Sequence, residues 1–381
     1  MHAYACRSFL LPAEGGGYPE RSFMNKTSLP VPHSKVHLLL LGYGHVAQAF
    51  LPLLAERSAW LERNLGVRPV ISGIGSRSHG LRIYSNGIDA SVLAQQHEAL
   101  HLFEDVGEHV GNAEEFIQGG KAVGATLLIE LTTLNPQSGQ PALNRIRGAL
   151  QAGMDVITAN KGPIAYAQAE LQSLAQQHNV QLRFESTVMD GLPIFNLAQF
   201  TLQAAGMQSF RALLNATSSL VLNMIEQGYS REEAIQRAQE LGIAEADPWH
   251  DLDGWDAVMK TTILANTLLE GRLSPHMVKR TGIRDLPLDD IRAAALAGSP
   301  IRLVSQASRR GEVLTAEVQP RNISAEDILH VGKGTSSVIT LETEAMGTIT
   351  LVEHETATSQ TAYGVLSDLI TILQQRRRAQ L

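Results

Sequence analysis

Cysteine is nearly absent: Cys6 is the one cysteine in 381 residues. That excludes an intramolecular disulfide, and no cysteine-histidine spacing resembles a zinc site. Long apolar runs are lacking as well. The longest, Val36–Leu41, is strand-sized, well short of the ~18 to 20 residues a bilayer span requires. No block of one charge stands out: 31 Lys and Arg against 38 Asp and Glu leave a formal net charge of −7. Nucleic acid and anionic membrane surfaces are therefore not expected partners. Residues 1–34 carry Gly15-Gly16-Gly17, scattered proline and no apolar segment long enough for a secretory signal, and read as a flexible extension. A cytoplasmic chain is the expectation. At 44% hydrophobic and 18% charged, its length suits two globular domains.

Beyond the extension, Val36–Leu41 reads as a buried strand, followed at once by Gly42-Tyr43-Gly44-His45-Val46-Ala47 and an apolar-periodic helix to about Arg57. Pro52 falls inside that helix and predicts a bend. Further apolar strands are expected at Pro69–Ile74, Ala125–Leu131, Met154–Thr158 and Val180–Phe184, with helices at Ala142–Ala152 and Tyr166–His178. Strands alternating with helices imply parallel βαβ units, an α/β fold with a Rossmann doubly wound parallel sheet. From Phe195 the pattern changes. Helices at Asn196–Ala205, Leu220–Gln227, Arg231–Leu241 and Gly254–Glu270 mix with strands at Phe210–Asn215 and Val313–Gln319, which implies a second α+β domain. A last helix spans Tyr363–Gln375 and ends in three arginines. The expected division is an extension to residue 34, a nucleotide-binding domain at 35–160, a catalytic and dimerisation domain at 161–350, and a returning helix at 351–381.

Gly42-x-Gly44-x-x-Ala47 directly after a strand is a dinucleotide fingerprint. The first glycine makes the turn, the second lets the backbone approach a pyrophosphate, and Ala47 permits close helix packing. Phosphate is expected on the backbone N–H groups of Tyr43, Gly44, His45 and Val46, at the positive end of the helix dipole, with Gly42 in the cofactor site as the turn glycine. The second strand ends in Ser76-Arg77-Ser78, without the acidic residue that commonly binds a ribose 2′-hydroxyl. Arg77 suits a 2′-phosphate, so NADP is expected over NAD; a solvated loop arginine is the plain alternative.

The densest chemistry lies between Leu241 and Lys260. Carboxylates crowd from Glu245 to Asp253, and Asp256 and Lys260 follow four residues apart on a helix, which puts them on one face. A capped helix start with a surface salt bridge would explain the pair. Against that, Thr261–Leu268 is largely apolar, so the face abuts the interior.

From about Lys35 to the C-terminal helix the sequence resembles the homoserine dehydrogenase family. The resemblance rests on the Gly42 loop, Thr158-Ala159-Asn160-Lys161, Glu185 to Pro193, Leu214-Asn215-Ala216-Thr217-Ser218, Ala244 to Pro248, and above all Asp251-Leu252-Asp253-Gly254-Trp255-Asp256-Ala257-Val258-Met259-Lys260. It implies reversible hydride transfer between L-aspartate 4-semialdehyde and a nicotinamide, giving L-homoserine on the route to threonine, methionine and isoleucine, and it implies a homodimer. It places Lys161 and Lys260 in the catalytic centre with Asp256 ordering Lys260. Lys260 is favoured as proton donor with Lys161 orienting substrate and nicotinamide, and the reverse assignment stays open. Glu245 and Asp251 match substrate-contacting acids, Asn215 and Thr217 offer donors, and Thr132 corresponds to a cofactor contact. Glu185, Val188, Asp190 and Leu192 match a monovalent-cation site, for which sodium is expected; a turn without an ion is the alternative.

Two departures stand out. Asp190 occupies a position where glycine or alanine is common, and Glu355-Thr356-Ala357-Thr358-Ser359-Gln360-Thr361 stands in place of a glycine-rich cofactor contact. The chain also ends at Leu381, so inhibition by threonine through a C-terminal regulatory domain is not expected. Two other readings compete: a dehydrogenase of a different amino-acid aldehyde, and a non-catalytic NADP-sensing module. A sensor has no use for Lys161, Asp256 and Lys260 together.

Overall fold

Leu38–Leu41 form the inner half of β1 (Ser34–Leu41), where each side chain is at most 2% exposed. A central strand covered on both faces requires such an uninterrupted apolar run. The computed structural model describes residues 34–95, 107–354 and 356–379. The N-terminal extension, its residue 34 apart, lies outside the described residues. In parallel with β1 run β2 (Val67–Ser76) on one side and β5 (Ala125–Glu130) on the other, and β6 (Asp155–Thr158) and β7 (Leu182–Arg183) continue the parallel set.

Past β2 the direction reverses. β3 (Gly80–Asp89) and β4 (Glu108–Val110) are antiparallel, and the seven strands lie in the order β4-β3-β2-β1-β5-β6-β7. Too few apolar side chains mark this edge for periodicity to reveal it. β1 sends its crossover toward β2 while β5 lies on its other side, so the chain switches direction between β1 and β5. That is where ligands of open α/β sheets bind.

The helix after β1, His45–Leu65, runs past the expected end near Arg57, straight through Pro52, to a left-handed Gly66 cap at φ 71°. The cost of one missing backbone hydrogen bond is offset by burying Phe50, Leu51, Leu54 and Leu61. These side chains share a core with Val365, Leu366, Leu369 and Ile372 of the C-terminal helix Thr358–Ala379. The C-terminal helix thus packs against the helix that follows β1.

The second sheet has six strands in the order β13-β12-β8-β10-β11-β9. They are β8 (Met207–Leu213), β9 (Lys279–Arg280), β10 (Ile301–Arg310), β11 (Val313–Asn322), β12 (Ser337–Thr343) and β13 (Gly347–Glu353). All pairs are antiparallel except the two-residue β9–β11 contact. Helices Ala216–Glu226 and Trp255–Leu268 contribute Val221, Leu222, Ala257 and Val258 to a core with Leu303 and Val318 of this sheet. An α/β chain with one mainly parallel sheet and a second α+β portion agrees with the sequence expectation. No described helix is long and apolar enough to cross a membrane.

Candidate active site

The turn after β1 is built for close approach. Gly42 has φ 96°, and a Cβ there would sit 2.3 Å from the Leu131 carbonyl oxygen, so only glycine fits. Its N–H donates to Gly75 O at 2.7 Å, which ties the turn to the end of β2. Gly44 is the opposite case: a Cβ there would meet no atom within 4 Å. No side chain caps the helix that begins at His45. An open cradle at an uncapped N-terminus suits a pyrophosphate, with Ala47 buried beneath it. Arg77 lies exposed in the turn between β2 and β3, near Ser76 Oγ, which accepts from the His79 N–H at 3.0 Å.

Across the switch, β5 ends in a residue the sequence reading missed. Glu130 is wholly buried. It accepts hydrogen bonds from the Thr132 N–H at 3.0 Å and hydroxyl, and from Thr158 Oγ1 at 3.0 Å. Burial raises its pKa against the pull of these donors. Thr158 Oγ1 in turn accepts from the Asn160 N–H at 3.0 Å, and Asn160 donates its amide to Thr132 O at 3.1 Å. Asn160 Oδ1 accepts from the Gly162 N–H and caps helix Lys161–Gln177. One carboxyl therefore locks the ends of β5 and β6 and fixes where Lys161 begins. Its signal was a lone acid closing an apolar strand.

Lys161 Nζ stands 3.2 Å from Asp256 Oδ1, and Lys260 Nζ stands 3.0 Å from Asp256 Oδ2. Gly254, left-handed at φ 84°, starts the helix that carries Asp256 and Lys260. Lys260 also donates to Leu214 O at 2.6 Å, at the end of β8. Burial alone would raise Asp256, but the ammonium groups of Lys260 and Lys161 and the Asn215 amide hold it far below the usual carboxylate range. Lys260 is raised: burial opposes its charge, and Asp256, Asp190 and Asp251 outweigh burial.

Asn215 caps helix Ala216–Glu226 by accepting from the Ser218 N–H at 2.8 Å. Its amide reaches both Asp251 Oδ1 and Asp256 Oδ2 at 3.0 Å, and Thr217 Oγ1 donates to Asp251 Oδ2 at 2.7 Å. Burial, then Asp256, raises Asp251. Asp251, Asn215 and Thr217 thus form one floor beside the two lysines. Glu245 is not part of it: it lies exposed in a loop, held by its backbone carbonyl to Gln239 at 3.1 Å. Asp253 serves structure, paired at 2.6 Å with Arg284, which stacks over Trp249 at 3.9 Å.

A second carboxyl missed in sequence is Glu353, the last residue of β13. It is 6% exposed, and burial together with Asp190 pushes it up to about 8, with Lys260 opposing.

At the expected cation turn the two carboxylate oxygens of Glu185 accept the Phe195 N–H at 2.7 Å and the Asn196 N–H at 2.9 Å, in the first turn of helix Ile194–Thr201. Met189 and Asp190 are both left-handed at φ 51°. Gly191 and Gly364 interlock this turn with the C-terminal helix; a Cβ at Gly191 would sit 2.2 Å from Gln360 O. The Leu192 carbonyl accepts from the Ile194 N–H at 2.7 Å. Among the described residues no group of three His, Cys, Asp or Glu side chains could hold a metal. The Glu355–Thr361 departure lies partly outside the described residues.

A family model described as homoserine dehydrogenase matches residues 193–370. A NAD(+)-dependent homoserine dehydrogenase of Pseudomonas canavaninivorans is 35% identical over 345 residues, 90% of this chain and 97% of the relative. A homoserine dehydrogenase of Methanocaldococcus jannaschii is 31% identical over 88% of this chain and 98% of its own length. The solved structure of a hyperthermophilic archaeal homoserine dehydrogenase in complex with NADPH matches with a TM-score of 0.75 at 28% identity, covering 90% of this chain and 98% of that one.

Proposed function

The chain belongs to the homoserine dehydrogenase family, and from that premise we infer that its reaction centre is the buried trio Lys161, Asp256 and Lys260. The protein is an oxidoreductase that interconverts L-aspartate 4-semialdehyde and L-homoserine with a nicotinamide cofactor. The observation that carries the assignment of the centre is one carboxylate, Asp256, holding both ammonium groups at 3.0 and 3.2 Å.

When bound, the reduced nicotinamide supplies the hydride. Tyr43, Gly44, His45 and Val46 would hold its pyrophosphate at the turn that Gly42 makes, Thr132 would meet its nicotinamide half, and Arg77 would favour a 2′-phosphate. Lys260 donates one N–H to Asp256 and one to Leu214 O, which leaves a third for the substrate oxygen. Lys260 gives that proton as the aldehyde oxygen gains charge, and Asp256 fixes the amine's position. Lys161, anchored through Asn160 and Asp256, orients the carbonyl. Asp251, Asn215 and Thr217 form the floor for the amino-acid end, with Glu245 at the rim.

The family's cation is proposed on the carbonyls of Val188, Asp190 and Leu192, without the Glu185 side chain. The domain boundaries are proposed at residues 160 and 350, a division supported by the C-terminal helix sharing the first sheet's core. The site test is an absorbance assay with NADP+ or NAD+ and L-homoserine against L-serine. Homoserine is expected to turn over at least ~10-fold faster at low substrate, since the centre must select one methylene. Faster oxidation of serine overturns the substrate assignment.

A further inference from the structure

Glu130 differs from the acid between the lysines in having no cation to hold it. It is fully buried at the end of β5, and among the described residues it makes no ion pair. Hydrogen bonds hold it instead. Oε1 accepts the Thr132 N–H at 3.0 Å and the Thr132 hydroxyl, and Oε2 meets Thr158 Oγ1 at 3.0 Å. A buried charge without a counter-ion is costly, whereas a buried carboxyl with both oxygens hydrogen-bonded is an ordinary fixture.

These partners lead in two directions. Thr132 is the residue proposed to meet the nicotinamide half. Leu131, between it and Glu130, donates to Leu41 O at 2.6 Å and lays its carbonyl against the Gly42 turn. On the other side, Thr158 Oγ1 accepts the Asn160 N–H at 3.0 Å, and Asn160 caps the helix that begins with Lys161. Lys161 Nζ then stands 3.2 Å from Asp256 Oδ1. One side chain is therefore common to the segment proposed to hold the cofactor and the segment that brings a lysine to the centre. Hydride transfer depends on that relative placement, where a shift of about 1 Å can cost on the order of 10²-fold in rate.

Nothing in this arrangement demands a negative charge. Thr158 Oγ1 also stands 3.0 Å from the backbone oxygen of Glu130, so its single proton has two acceptors to choose from. An amide N–H in place of Oε2 can donate to Thr158 Oγ1 while the Thr158 proton goes to the backbone oxygen.

We propose that Glu130 is a positioning residue for hydride transfer, setting Thr132 and Lys161 in register as a hydrogen-bonding node and not as a charge. The proposal rests on the reading of Lys161, Asp256 and Lys260 as the reaction centre.

The test measures homoserine oxidation with NADP+ or NAD+ in Glu130→Ala, Glu130→Gln and Thr158→Val, with thermal midpoints to confirm folding. Glu130→Ala is expected to lower kcat about 10²-fold. Glu130→Gln restores both arms and is expected to stay within about 3-fold of wild type. Thr158→Val is close in shape but cuts the arm to Asn160 and Lys161. Its kcat is expected to fall about 10-fold while the KM for the cofactor changes less than about 3-fold, a split that general loosening of the fold does not produce. Thr158→Val and Glu130→Gln decide the matter if Glu130→Ala does not fold.

A fall of about 10-fold or more in kcat of Glu130→Gln makes charge the requirement and overturns the proposal. Wild-type kcat in folded Glu130→Ala or in Thr158→Val, or a loss confined to the KM for homoserine, overturns it as well. Failure of the underlying functional reading looks different: the wild type itself then oxidises no homoserine.

Discussion

Asp256 decides how much of the site can exist. A carboxylate this buried is tolerable only because two ammonium groups and an amide surround it, and removing any one leaves uncompensated charge. Its depressed pKa means that its contribution to stability is present above the unfolded carboxylate value and is lost as pH falls through the folded one. The i, i+4 spacing of Asp256 and Lys260 was legible in sequence, because helix geometry fixes that pair locally. Lys161 required the family motif, since nearly a hundred residues separate it from Asp256. Glu130 and Glu353 were illegible: each owes its place to strand ends that only tertiary packing brings together. Arg77 was legible as a charge at a strand end. Arg77→Asp is expected to lower the ratio of kcat/KM for NADP+ to that for NAD+ by about 10-fold or more, since repulsion replaces attraction at a 2′-phosphate. Steady-state kinetics with both cofactors checks it, and an unchanged ratio removes Arg77 from the cofactor site.

Among the elements, β5 and β6 matter most, because their ends carry Thr132, Asn160 and Lys161. Glu130 joins them, and its proton affinity is raised on folding. The folded state therefore binds more protons than the unfolded chain once pH exceeds the unfolded value, about 4.3, and stability falls as pH climbs toward the folded value. Glu130→Gln removes that titration while keeping an acceptor for Thr132. Its melting temperature is expected to decline less steeply between pH 5 and 8 than that of the wild type, by a few degrees. Equal slopes in differential scanning calorimetry contradict the assignment. The parallel strands were legible because burial on both faces writes a continuous apolar run. The hairpin of β3 was not, since an edge strand with polar residues carries no such mark. Pro52 misled the helix boundary: tertiary burial of Phe50 and Leu54 outweighs the break that proline alone predicts.

At the scale of the molecule, Val313 at the start of β11, Met277 in the turn before β9 and Met346 in the turn before β13 are each more than 60% exposed. The homodimer that the family resemblance implies is tested by mass. Analytical ultracentrifugation is expected to give twice the chain mass at micromolar concentration, with Val313→Glu shifting the population toward monomer; a monomeric wild type contradicts it. Fold class and the two-part plan were readable from patterning, whereas the antiparallel pairing of β10, β12 and β13 depends on contacts no local window contains. The central claim, that Lys260 acts on the substrate oxygen beside a nicotinamide held at the Gly42 turn, is tested most directly by Lys260→Ala. Its NADPH affinity, read by fluorescence titration, should stay within about 3-fold of wild type while kcat for homoserine oxidation falls about 10²- to 10⁴-fold. A variant that binds NADPH and oxidises homoserine at near wild-type rate would contradict the account.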